Sequence, residues 1–369
     1  MSILFGKEWT RKDLLRRIGR LQQVGGVTLC ELDQGKERGC RIAEVKTGSG
    51  LSFSILLDRA MDIGAAEFGG IPLSWQSSTG FSNPAFFYPY RDNWLRTFGG
   101  GLVTTCGLSN VGAPNVDSGE ELTLHGLISG SPAEQVKVDY RWHGDDLDIT
   151  VEGILRETKV FGPNLVLKRL IWTRLGEKKV FLEDRVTNEG FEPTPLMFLY
   201  HINIGWPILD QDTMLIMPSR KAVLRDHLES GSSFKQSPHT SDYGILSAPQ
   251  KGFREQVYFH DMIADSAGYV QIGVVHPNIR SSCFGIYIKY PLVELPRFTQ
   301  WKMLGEGMYV LGIEPGNCGV MGRERERKDA SLQFLAPGES KDFHLEIGAI
   351  TTPEELNQVS DLVDDLLQK

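Results

Sequence analysis

The chain has no long apolar run. Nothing in its 369 residues approaches the ~20 consecutive apolar positions of a membrane-spanning helix. Its opening stretch, Met1-Ser-Ile-Leu-Phe-Gly-Lys-Glu-Trp9, lacks a basic flank followed by an apolar core, so no signal peptide is visible. Cysteine is scarce and odd in number. Cys30, Cys40, Cys106, Cys283 and Cys318 are widely spread and form no Cys-x-x-Cys pair. That excludes a disulfide framework and a thiolate zinc site, and points to a reducing, cytoplasmic setting. Basic residues are outnumbered, 39 against 47 acidic, for a net charge of −8 with no basic stripe. Nucleic acid and membrane are therefore not expected partners. Also missing are a Gly-x-Ser-x-Gly elbow, a P-loop, a His-Glu-x-x-His pair and a dinucleotide fingerprint.

What remains is globular, with 41% hydrophobic and 23% charged residues, and well supplied with turn formers, 40 Gly and 18 Pro. Val136, Val138, Tyr140 and Trp142 alternate with polar residues, His143-Gly-Asp-Asp146 turns, and Leu147, Ile149 and Val151 resume the alternation, which predicts a hairpin. Val180, Leu182 and Val186 repeat the period of two, with Asp184 interrupting the apolar face. Further strands are predicted over 269–275, 283–290, 308–313 and 332–335. Short strands at this frequency indicate a sandwich or barrel rather than βαβ units. Two helices flank them. One is capped by Thr10 and Asp13 and runs through Leu14, Leu15 and Ile18; the other opens on Thr352-Pro353 with Glu355 as capping-box acid and buries Leu356, Val359, Val363, Leu366 and Leu367. The expected organisation is a β-domain over 41–350, a helix and lead-in strand over 1–40 packed on it, and a C-terminal helix over 351–369.

Three segments carry polar groups on apolar strands: Leu124-His125-Gly126, Tyr200-His201-Ile-Asn203 and Gly312-Ile-Glu314-Pro315. Buried histidines and carboxylates are costly unless paired, and each alone reads equally as a satisfied core group. The run Phe98-Gly-Gly-Gly-Leu102 lacks the Lys-Ser/Thr of a phosphate cradle and reads as a strand entry or bulge. Together, a histidine and a glutamate facing one pocket supply an acid and a base for moving protons on a sugar, with Trp75, Tyr200, Trp206 and Trp301 as aromatic candidates.

The order His-Gly, Tyr-His-x-Asn, Ile-Glu-Pro resembles the galactose mutarotase (aldose 1-epimerase) superfamily. Asp58-Arg59-Ala-Met-Asp62, Arg96-Thr-Phe-Gly-Gly-Gly-Leu-Val-Thr-Thr-Cys-Gly-Leu108, Phe259-His260-Asp261 and Trp301-Lys302 are similar to an uncharacterised aldose-1-epimerase-like branch of it. The resemblance spans about Arg41 to Ile350 and implies an all-β fold, a large antiparallel β-supersandwich with a few short peripheral helices. It implies His201 as general acid and Glu314 as general base in the interconversion of α and β anomers of an aldose or an acidic or modified sugar, without metal or organic cofactor. It further implies His125 and Arg96 as substrate contacts, with Arg59 competing with Arg96, Asp261 as the sugar-binding aspartate, and Asn203 and Trp301 beside them. Lys302 and Arg323 are candidates for an anionic sugar group, against the alternative of ordinary surface charges. The competing readings are a glycoside hydrolase or lyase, which with Glu314 and Asp261 needs carboxylates ~5 to 9.5 Å apart, a sugar-binding module without catalysis, and a metal site on His260 and Asp261. The last is disfavoured because adjacent strand residues face opposite ways. The expected partner is a small sugar, and the default assembly a homodimer.

Overall fold

The alternating segments pair into two antiparallel sheets, one of eight strands and one of twelve, stacked face to face in a computed structural model that describes residues 1–229, 233–235 and 237–368. Glu134–His143 and Asp146–Thr158 form the predicted hairpin, with Trp142 opposite Leu147, at one edge of the eight-stranded sheet. The twelve-stranded sheet runs from Ser219–Leu224 through Gln256–Met262, Arg297–Gly305, Met308–Gly316, Thr194–Gly205 and Val103–Leu108 to Gly26–Glu31 at its far edge. Gly26–Glu31 pairs with Arg41–Lys46, so the lead-in strand is part of this sheet. Among the described residues no helix is long and apolar enough to cross a membrane.

Inward residues of the two sheets, such as Leu167, Ile171 and Leu182 facing Phe198, Ile202 and Ile313, make one apolar core. Asp184, which breaks the pattern, faces inward too. Its carboxylate accepts from Arg169 Nε (2.8 Å) and Nη2 (2.6 Å) and from the Tyr200 hydroxyl (2.6 Å), while Arg169 Nη1 reaches the Asp62 carboxylate of the opposite sheet at 3.1 Å. A buried charge is tolerable only when paired and hydrogen-bonded, and here the pairing ties the sheets together.

The strand Thr194–Gly205 is buried on both faces. One face joins the core. The other, bearing Met197, Leu199, His201 and Asn203, is covered by the chain around Trp94, Phe98 and Val111. That covering creates a second interior in which a polar site can be enclosed. Both helices form with the expected caps. The first ends at Leu15, leaving Ile18 outside it. At the second, Thr352 accepts from Glu355 N–H while the Glu355 carboxylate receives Thr351 N–H, one residue earlier than a strict capping box. Val359, Val363 and Leu366 are buried there; Leu367 is exposed.

Candidate functional site

His201 and Glu314 lie on neighbouring antiparallel strands, Thr194–Gly205 and Met308–Gly316. The pairings Leu199↔Gly316 and Ile202↔Ile313 set His201 directly opposite Glu314, at the separation where cross-strand side chains interact. His201 Nε2 is 3.3 Å from Glu314 Oε1, and both side chains are about 95% shielded or more. They form the floor of a cavity of about 290 Å³, walled by Trp94, Phe98, His125, Thr299 and Trp301 and rimmed by Arg225, Glu229 and Glu255. The volume falls near the lower end of small-molecule sites, ~300–1,000 Å³, and suits a single small ring.

Burial dominates the electrostatics. Desolvation pushes the Glu314 carboxyl up, to about 8; Glu255 adds to this and Arg225 opposes it. The same effect pushes the His201 imidazole down, to about 4, with the Asn203 side chain opposing. Between those limits the pair holds one proton, and burial favours its place on Glu314 with His201 neutral. The resemblance implies the other placing, with Glu314 as the charged base. Desolvation, and then the nearness of His201, also hold His125 neutral, at about 3. The two imidazole rings nest among aromatics: His125 lies 4.6 Å from Trp94, and His201 lies edge-on to Phe98 at 5.2 Å and to Trp301 at 5.5 Å, centroid to centroid. His125 adopts φ +56 before Gly126 at φ +76; a left-handed histidine is strained backbone, of the kind that gathers at functional sites. His125 Nδ1 and Thr299 Oγ1, on two residues that line the cavity, are buried without hydrogen-bond partners.

Several site groups escape the motifs. Arg225 opens the short helix Arg225–Glu229 and sits at the mouth, donating to Glu255 (2.9 Å) and lying 3.3 Å from Glu229. Glu255 also accepts from Trp301 Nε1 at 3.0 Å. Thr299 stands opposite Glu314 in the register. Gly312 is needed for space: a Cβ there would lie 2.6 Å from Glu314 Oε1 and 3.0 Å from Trp301 Cβ. Gly312→Ala is therefore expected to displace the Glu314 carboxyl while leaving the urea midpoint near that of the parent; a crystal structure of the folded variant with that carboxyl unmoved overturns this.

Other expected site residues lie elsewhere. Arg96 is exposed, donates to its helical neighbour Asn93, and does not line the cavity. Arg59 is buried as a brace, donating to Ser82 O (3.2 Å) and Thr97 O (3.0 Å). Asp261 is exposed; it shares a face with Val257 of the cavity wall but lies four residues, ~13 Å, further along the strand. Asn203 is fully buried and also absent from the lining. Lys302 points away from Trp301 and donates to Asp242 O and Ile245 O. Arg323 is tied to Asp117 (2.7 Å) and Glu120 (2.6 Å), away from the cavity. His260 is buried between Ser219 (2.9 Å) and Gln300 (3.1 Å), on the face opposite Asp261. Of the aromatics, Tyr200 enters the core, Trp206 is exposed, and Trp75 packs against Trp301 from behind. Gly100 and Gly101, at positive φ, admit Trp75 and the strand Asp62–Phe68 at distances a Cβ would not allow, so the glycine run is a packing feature.

Residues 37–349 match the family model "Domain of unknown function (DUF4432)". The chain belongs to this family. Its fold is shared with a Klebsiella pneumoniae protein provisionally named an aldose 1-epimerase (TM-score 0.83, 24% identity, 92% of this chain and 87% of that one). It is also shared with a galactose mutarotase-like protein from Clostridium acetobutylicum (0.58, 12%, 89% and 100%) and galactose 1-epimerase from Lactobacillus acidophilus (0.55, 10%, 89% and 99%). At such identities the likeness establishes the all-β sandwich of the galactose mutarotase type, and the DUF4432 chain's activity must be argued from its site. A comparison with curated protein sequences found no match.

Proposed function

We propose that the protein is an aldose 1-epimerase-type isomerase, interconverting the α and β anomers of a small sugar. One observation carries this reading: His201 and Glu314 face each other 3.3 Å apart on the floor of a sugar-sized cavity. Opening a hemiacetal removes the proton from O1 and adds one to the ring oxygen, and the C1–O bond to the ring breaks. After rotation about C1–C2 the ring closes on the other face with the proton transfers reversed. A pair with one proton does both halves: neutral His201 takes the O1 proton, Glu314 delivers its own to the ring oxygen, and the return reaction swaps them back. Trp301 offers a flat wall to the sugar face, and His125 and Thr299 offer polar atoms to hydroxyls.

Arg225 is the one permanent cation among the described lining residues, and two carboxylates already occupy it. This supports an uncharged sugar over a uronate. The test is NMR exchange between anomers across neutral and acidic aldoses, after subtraction of the uncatalysed rate. Exchange above background for a neutral aldose is expected; none for any aldose, or new reducing ends from oligosaccharides, overturns the reading. The pH profile is expected to be bell-shaped. Activity falls as pH drops through the lowered His201 value, about 4, because the base is then protonated. It falls again as pH rises through the raised Glu314 value, about 8, because the acid is then lost.

A further inference from the structure

Two buried polar atoms on the hidden face of strand Thr194–Gly205 lack hydrogen-bond partners: His201 Nδ1 and Asn203 Oδ1. The residues are two apart and project from the same side of the strand. The Asn203 amide cannot be turned over. Its Nδ2 donates to Gly101 O (3.1 Å) and to His201 O (3.0 Å), and the flipped amide would set an acceptor against two acceptors. Oδ1 is thus held as an acceptor in need of a donor. The His201 ring is oriented as well. Nε2 faces Glu314, and Cε1 lies over Gly312, 3.4 Å from where a Cβ would stand; Gly312 is the cross-strand partner of Asn203. The Nδ1 edge therefore turns toward Asn203.

We propose that Asn203 is a positioning residue: its Oδ1 accepts the Nδ1 proton of His201, fixes the imidazole as the Nδ1–H tautomer, and keeps Nε2 bare toward Glu314 and the substrate. The other tautomer would put an N–H on Nε2, against the acid it must exchange protons with. The raising influence of Asn203 on the histidine agrees with an acceptor at that edge. Besides Glu314, the titratable group facing His201 is His125, 5.7 Å away between ring centroids; Trp94, Phe98 and Trp301 supply the remaining ring contacts. The catalytic consequence rests on the isomerase reading, whereas the tautomer does not.

The experiment is ¹⁵N NMR of the histidine rings in the full-length protein at neutral pH, with the His201 signals, among eight histidines, assigned by their loss in His201→Gln. The wild-type protein is expected to show protonated Nδ1. In Asn203→Ala the ring shifts toward the Nε2–H form, and kcat falls about 10- to 100-fold with little change in KM, by analogy with the loss on removing the orienting partner of a metal-bound histidine. Bare Nδ1 in the wild type overturns the proposal whether or not the variant folds, as does an unchanged tautomer in folded Asn203→Ala. If no sugar is isomerised but the expected spectra appear, the positioning role stands and the isomerase reading fails.

Discussion

Glu314→Gln is expected to lower the enzymatic rate of anomer exchange by about 10²- to 10⁴-fold, the contribution of one positioned acid or base. Glutamine fills the same space, and its amide can still donate to His201 Nε2 across the 3.3 Å separation. What disappears is a proton that can leave. Because the proposed step needs both residues at once, His201→Gln should cost a similar factor, and the double variant little more than either single change. Factors that multiply would show the two groups acting independently, and a Glu314→Gln rate equal to that of the parent would refute the assignment. NMR exchange measured at pH 7 reads all three variants.

Arg169→Met is expected to cost about 3–5 kcal/mol of stability, the usual loss when one member of a buried ion pair is removed. Methionine fills much of the volume but leaves Asp184 without two hydrogen bonds and Asp62 without its nearest cation. Asp62 already stands raised to about 6, through burial that Arg169 and the Thr105 hydrogen bonds partly offset. A carboxyl whose folded value exceeds its unfolded one loses stability as pH rises through the folded value. Without the arginine that value climbs further, so the deficit should be greater at pH 8 than at pH 6. Urea unfolding at both pH values measures it, and a variant as stable as the parent at pH 8 would show the network to be dispensable.

The same residues explain what could be read from the chain. Asp184 announced itself by breaking an apolar period, but Arg169 did not, because a lone arginine in a strand reads as a solvent-facing residue until the opposite sheet is in place. The segment Asp58-Arg59-Ala-Met-Asp62 stood out as a motif and proves architectural. Asp58 holds Arg41 (2.5 Å), Arg59 braces two carbonyls, and Asp62 receives Arg169 and Thr105. A distinctive string of charges can mark a brace as readily as a site. Trp301 and His125 were found by type and place, whereas Arg225 was not, since nothing around it in the chain departs from an ordinary helix start.

Local pattern alone therefore determined the strands, the cap of the terminal helix, and the presence of a histidine and a glutamate on apolar strands, because alternation and capping depend on residues a few positions apart. Which arginine reaches the cavity, that Asn203 is buried away from its lining, and that His201 stands opposite Glu314 were decided only by tertiary structure. Those properties follow from strand register and from the exclusion of water, and both are set by residues more than a hundred positions away.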